Sequence, residues 1–279
     1  MKDDRKPFRD AQQDIKSVQR LPNTPQAQSA SYRLAFADPD FLCAPELRPV
    51  RLQLELLKPE MGLDARGVNS TIVLFGGARI PRPEDRDGAR SDALRDMSQY
   101  YEEARSFARA ITARSVETGC TENVVVTGGG PGVMEAGNRG ASDAGGCSVG
   151  LNIVLPHEQE PNHYVTPDLC FNFHYFAIRK MHFLMRAKAI AVFPGGFGTM
   201  DELFEALTLI QTGRMEQVPV LLFGESFWRD VVNWNALVHA GTISADDLNL
   251  FRFVETAEDA LHVIDTWTLS GRRGDIPGR

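Results

Sequence analysis

Apolar and polar positions along this 279-residue chain alternate between two rhythms. Short runs of β-branched and large apolar residues end at glycine or proline, and between them lie longer stretches with apolar residues every three or four positions. The first rhythm predicts buried strands and the second amphipathic helices. Thr71 to Phe75 leads into Gly76-Gly77-Ala78-Arg79, Asn123 to Thr127 into Gly128-Gly129-Gly130-Pro131-Gly132, and Ala189 to Phe193 into Pro194-Gly195-Gly196-Phe197-Gly198-Thr199. Further strands are expected over Cys147–Leu155, Leu169–Phe173 and Val218–Phe223. Helices are expected where Met97, Tyr101, Ala104, Ala108 and Ile111 share a face, and over Val133–Ala144, Phe176–Lys188, Leu203–Ile210, Phe227–Ala240 and Ala257–Leu269. Strands alternating with helices predict an α/β fold: a Rossmann-like, doubly wound parallel sheet with helices on both faces.

The chain ahead of this pattern differs. Residues 1–30 are polar, with few large apolar side chains, and are expected to form a disordered or loosely held arm. Residues 31–69 read as a helical extension, in which Leu47, Val50, Leu54 and Leu57 fall at helical spacing until Pro59 closes the run. Residues 70–270 hold the single catalytic-type domain, and 271–279 form a tail.

Composition narrows the partners. A net charge of −7 disfavours a nucleic-acid surface, leaving a small anion bound by a local pocket. No run approaches a membrane span, and the charged start, Met1-Lys2-Asp3-Asp4-Arg5-Lys6, is no secretory leader; the cytoplasm is the expected location. Cys43, Cys120, Cys147 and Cys170 are scattered, which favours free thiols over disulfides or zinc. The six histidines show neither HxxxH nor HExxH, so no metal and no cofactor is expected. His157 is at most a peripheral contact.

Glycine turns between a strand and a helix make anion sites, because free N–H groups and the positive end of the helix dipole point outward together. The Gly128–Gly132 turn lacks the last glycine of GxGxxG, and neither it nor the Gly195–Gly198 turn has the Gly-Lys-Ser/Thr ending of a P-loop. A dinucleotide or a triphosphate is disfavoured. A mononucleotide or sugar phosphate fits.

The combination is specific. PGGxGTxxE at Pro194–Glu202, Arg179-Lys180 on the preceding helix and GGGPGxME at Gly128–Glu135 resemble the LOG ("lonely guy") family. Gly150 to Pro156, Glu158-Gln159, Asn162 and Gln211-Thr212-Gly213 resemble its longer bacterial members. The resemblance runs from about Thr71 to Leu222 and leaves the first seventy residues outside. It implies a phosphoribohydrolase that cleaves the N-glycosidic bond of a purine ribonucleoside 5′-monophosphate, such as AMP or a cytokinin nucleotide. It also implies a homo-oligomer. Arg179 and Glu202 would be the catalytic pair. Lys180, Gly195, Gly196, Gly198 and Thr199 would line phosphate and ribose, Met134 would lie near the base, and Gly76, Gly77, Gly129, Gly130 and Asn152 would complete the substrate site. Gly77 departs from the serine that relatives often carry. The alternative within the same fold is a non-catalytic carrier of a nucleotide or of molybdenum cofactor. Pyridoxal-phosphate decarboxylation, under which such proteins were once filed, finds no Schiff-base lysine in these motifs.

Two readings of Glu202 stand side by side. N-glycosidic cleavage builds positive charge on the ribose, which a carboxylate stabilises while it activates water. Thr199 with Glu202 also has the spacing of a capping box, in which the glutamate merely folds back onto the helix start. Arg179 stays charged near neutral pH and acts electrostatically in either case, while Arg179-Lys180 is also compatible with a solvated helix face. Asp201 and Glu205 read as helix-surface charges.

Overall fold

The computed structural model describes residues 10–19, 23–156 and 160–267. Two compact units divide the chain, residues 1–54 and 55–279. In the first, α1 (Ala11–Val18) and α2 (Pro39–Leu42) are short, and neither contains a buried residue. A helix thus lies inside the polar stretch expected to be loosely held; Asp10 and Gln13 close it with a reciprocal capping box.

The helix α3 (Arg48–Ala65) does not stop at Pro59, as the sequence suggested, but continues for another turn and a half. Packing explains the difference. Pro59 and Leu63 are buried, and polar anchors hold the second half of the helix. Glu55 accepts the N–H groups of His174 and Tyr175 at 2.8 and 3.0 Å. Arg186 is held by Glu60 and, at 2.7 Å, by Asp64. These contacts outweigh the loss of one backbone hydrogen bond at the proline.

The second unit then runs β1 (Thr71–Phe75), α4 (Asp92–Asp96), α5 (Ser98–Glu117), β2 (Val124–Thr127), α6 (Val133–Asp143), β3 (Ser148–Ile153), β4 (Cys170–Phe173), α7 (Phe176–Met185), β5 (Ala187–Val192), α8 (Phe197–Gln211), β6 (Val220–Phe223), α9 (Glu225–Val231), α10 (Trp234–His239), β7 (Arg252–Val254) and α11 (Ala257–Thr266). Every pairing in the sheet is parallel, in the order β4-β3-β2-β1-β5-β6-β7. This is the doubly wound, Rossmann-like sheet that the pattern predicted.

Strand alternation makes two cores. Val73, Phe75, Ile190 and Val192 face one layer with Phe183, Leu203 and Ala206; Ile72, Leu74, Ala189 and Ala191 face the other with Tyr101, Phe107, Ala136 and Ala260. Both faces are covered, which is why the strands read as unbroken apolar runs.

Three boundaries differ from expectation. The helix expected to reach Lys188 ends at Met185, because pairing with β1 claims Ala187 onward for β5. The helix expected over Phe227–Ala240 is two, since Val232 is extended and the Asn233 side chain caps a new start at Ala236 N. The short edge strand β7 had no visible pattern, being three residues long and paired along β6 alone.

Candidate active site

Strand order reverses at β1, with β2 on one side and β5 on the other, and ligands of such sheets sit beyond the carboxyl ends at that reversal. The three glycine turns meet there. The Gly77 N–H donates to the Pro194 carbonyl at 2.9 Å, and the Val133 N–H donates to the Gly77 carbonyl at 3.2 Å. The Asn162 side chain donates to the carbonyls of Gly129 and Gly130, each at 3.0 Å. The turns therefore brace one another before any ligand arrives. A Cβ at Gly77 would stand 3.0 Å from the Pro194 carbonyl, so the bare backbone is part of how the turns close. Gly129 has φ +72°, and a Cβ there would strike Asn152.

The α8 helix begins at Phe197 with Gly196 as its N-cap. Thr199 is thus the third helical residue, packed over Gly195, and cannot be the cap of a capping box. The space around Gly196 and Gly198 is open, and Phe197 is 95% exposed. With no side chain capping this helix start, the turn presents free backbone N–H groups of the kind that bind phosphate.

Glu202 pairs with Arg179, whose Nη1 lies 3.2 Å from Glu202 Oε1; their side chains are 14% and 9% exposed. Arg179 Nε donates to the Leu151 carbonyl at 2.7 Å, and its guanidinium lies 5.0 Å from the Phe183 ring centre. Burial moves both groups toward neutrality. It lowers Arg179 below the ordinary arginine value against the pull of Glu202, and it pushes Glu202 up to about 7 against the pull of Arg179. Lys180, next along α7, is engaged by Asp201 at 2.7 Å and Glu205 at 3.1 Å. Those two acids, expected to be plain surface charges, hold this lysine.

A cleft of about 840 Å³ opens over the ends of the first three strands. Gly130, Met134, Asn152 and Arg179, all named from sequence, line one wall together with Gly128. Glu202, Lys180 and the Gly195–Thr199 turn are not among the cleft's lining residues; Glu202 touches one of them, Arg179. Gly76 backs onto Val133, whereas Gly77, Gly129, Gly195 and Thr199 shape the turns. His157, Glu158 and Gln159 lie outside the described residues.

The opposite wall was not foreseen. It comes from Ala78 to Leu94 and includes Arg79, Asp85 and Arg90. Glu135, buried on α6, holds this segment in place. Arg82 donates two hydrogen bonds to it at 2.7 and 2.8 Å, and the Tyr101 hydroxyl a third at 2.7 Å. Arg139 on the same helix holds Glu84 at 3.0 Å. The available signals were the Arg-, Asp- and Pro-rich loop after the first glycine turn and the final glutamate of GGGPGxME, to which spacing alone attaches no role.

The chain is thus a parallel α/β protein whose glycine turns brace one another beside a carboxylate–guanidinium pair that is largely shielded from solvent. Comparison with known families sharpens the class. A family model described as "Possible lysine decarboxylase" matches residues 134–264, in keeping with the resemblance to the LOG family. A bifunctional cytokinin biosynthesis protein of Fusarium pseudograminearum is 32% identical over 83 residues, covering 29% of this chain. The chain spans only 17% of that relative's length. Similar solved structures include a molybdenum cofactor binding protein from Rippkaea orientalis, with 18% identity, a TM-score of 0.48, and coverage of 71% of this chain and 96% of that one. A molybdenum cofactor carrier protein from Chlamydomonas reinhardtii is 16% identical, with a TM-score of 0.45 over 71% and 96% of the two chains.

Proposed function

We propose that this protein hydrolyses the N-glycosidic bond of a purine ribonucleoside 5′-monophosphate, such as AMP or an N6-prenylated relative, releasing free base and ribose 5-phosphate. The observation that carries the reading is Glu202: 14% exposed, taking no part in capping its own helix, paired with Arg179, and pushed up to about 7 by desolvation. A carboxyl group poised near neutral pH is suited to proton transfer. In its ionised form it takes a proton from water as the water attacks the anomeric carbon, and its charge stabilises the oxocarbenium-like ribose. The proton taken from water ends on the nitrogen of the departing base, which leaves neutral and returns Glu202 to its ionised form. Arg179, anchored by the Leu151 carbonyl, orients Glu202 and presents its remaining N–H groups to the cleft. The 5′-phosphate is assigned to the Gly195–Thr199 turn. The cytokinin biosynthesis protein named above supports a nucleotide of this kind.

The test is an assay of the purified protein with AMP, reading adenine and ribose 5-phosphate. Turnover that falls at least about 100-fold in Glu202→Gln, with unchanged circular dichroism, is expected. Unchanged turnover in that variant would sink the mechanism, and tight binding of intact nucleotide without product would favour the carrier alternative. The same reading makes the protein a homo-oligomer, in keeping with the exposed Phe176, Met181 and Met185 on α7; light scattering on the eluting species tests it. No helix among the described residues is long and apolar enough to cross a membrane.

A further inference from the structure

The far wall of the cleft carries more positive charge than a monophosphate held at the α8 turn calls for. Arg79 and Arg90 both line it, and neither has a salt-bridge partner among the described residues. Their neighbours contrast with them. Arg82 is held by Glu135, Arg86 faces Asp96 at 3.7 Å, Arg95 is held by Asp92, and Arg139 by Glu84. Among the described residues the cleft lining holds one acid, Asp85, which already has Arg82 at 4.0 Å. In a chain of net charge −7, two guanidinium groups in one cleft without a salt-bridge partner among the described residues are not overflow from a basic surface. The segment that carries Arg90 is positioned by the buried Glu135, which accepts two hydrogen bonds from Arg82 and one from the Tyr101 hydroxyl.

We propose that Arg79 and Arg90 form a second anion subsite, which takes a further phosphate or carboxylate group of a nucleotide whose first phosphate sits at the Gly195–Thr199 turn. Guanidinium groups suit either anion, since their paired N–H donors match two oxygens of one group. A cleft of about 840 Å³ lies toward the large end of small-molecule sites and leaves room for the added group. Neither arginine belongs to the buried pair, so each can be changed without disturbing Arg179 and Glu202. The inference rests on the nucleotide reading above, and it adds the ligand's second charge.

The experiment is calorimetric titration of the full chain carrying Glu202→Gln to suppress turnover. The ligands are AMP, ADP, and an adenosine 5′-monophosphate bearing a dicarboxylate on N6. Expected is at least about tenfold tighter binding of ADP or of the dicarboxylate nucleotide than of AMP; which of the two gains identifies the second anion. Adding Arg79→Gln and Arg90→Gln together should abolish that advantage and change AMP affinity less than about threefold. Equal affinities for all three ligands, or an equal loss for all three in the double variant, would overturn the proposal. Failure of the hydrolase reading looks different: nucleotides bind with these preferences, but protein with Glu202 intact releases no ribose 5-phosphate.

Discussion

The two walls of the cleft are built on different physical terms. One is the sheet edge, where glycine turns bond to one another through their backbones and Arg179 is buried over Phe183. The other is the 81–94 segment, in which no residue is buried. It is held by Arg82–Glu135 and Arg139–Glu84 instead of by apolar packing. Backbone bracing and burial give the first wall a geometry that ligand binding need not create. Ion pairs that are partly open to solvent give the second wall a position that charge can loosen. The difference separates the two sets of charged groups: the Arg179–Glu202 pair belongs to the backbone-braced wall, and Arg90 to the segment held by ion pairs.

The sharpest way to break this division is Glu202→Gln. If the rigid wall carries the chemistry, turnover falls by about 10²- to 10⁴-fold while ligand affinity holds; a change in KM alone would move the chemistry elsewhere. Next comes Gly129→Ala, which forces a side chain into a left-handed turn and against Asn152. Denaturant unfolding should register a loss of about 2–4 kcal/mol, and a loss below about 0.5 kcal/mol would show that the wall is not braced as described.

The third concerns pH. Folding raises the Glu202 carboxyl from an ordinary 4.5 to about 7, so between those values the native state holds a proton that the unfolded chain has lost. The stability this group contributes is complete below about 4.5 and is lost as pH rises through 7, up to about 3 kcal/mol in all. Under the proposed hydrolysis, activity should run the other way and rise through the same range, because that reading makes the ionised carboxylate the active form. Melting curves from pH 5 to 8 that keep the same slope in Glu202→Gln would contradict this assignment.

On the second wall, Glu135→Gln unpairs Arg82 and removes a buried charge from Tyr101. Arg82 is 41% exposed, so solvent softens the effect to about 1–2 kcal/mol. Amide exchange across residues 81–94 should quicken while the Gly128–Gly132 turn stays protected; equal quickening in both would erase the contrast. The smallest effect belongs to Arg79→Gln with Arg90→Gln, which should leave the melting temperature within the range of ordinary surface changes, about 0.5 kcal/mol.

Much of this was legible in the chain itself. Strand runs ending in Gly76, Gly128 and Pro194 specify a parallel sheet with three turns at one edge, because both the apolar period and the turn glycines are local properties. Spacing also grouped Arg179, Glu202, Met134 and Asn152 as candidates through resemblance to a known motif set. Local pattern was insufficient where distant partners compete. Pro59 sits within a helix because Glu55, Glu60 and Asp64 are anchored by residues more than a hundred positions away. Spacing left Glu202 open to a capping role; the tertiary structure removed that role, since α8 begins at Phe197 and the carboxylate pairs with the buried Arg179. The charged wall around Arg79 and Arg90 is tertiary in the same sense. Sequence determines which charges are present, but only the fold determines which of them, among the described residues, lack a salt-bridge partner.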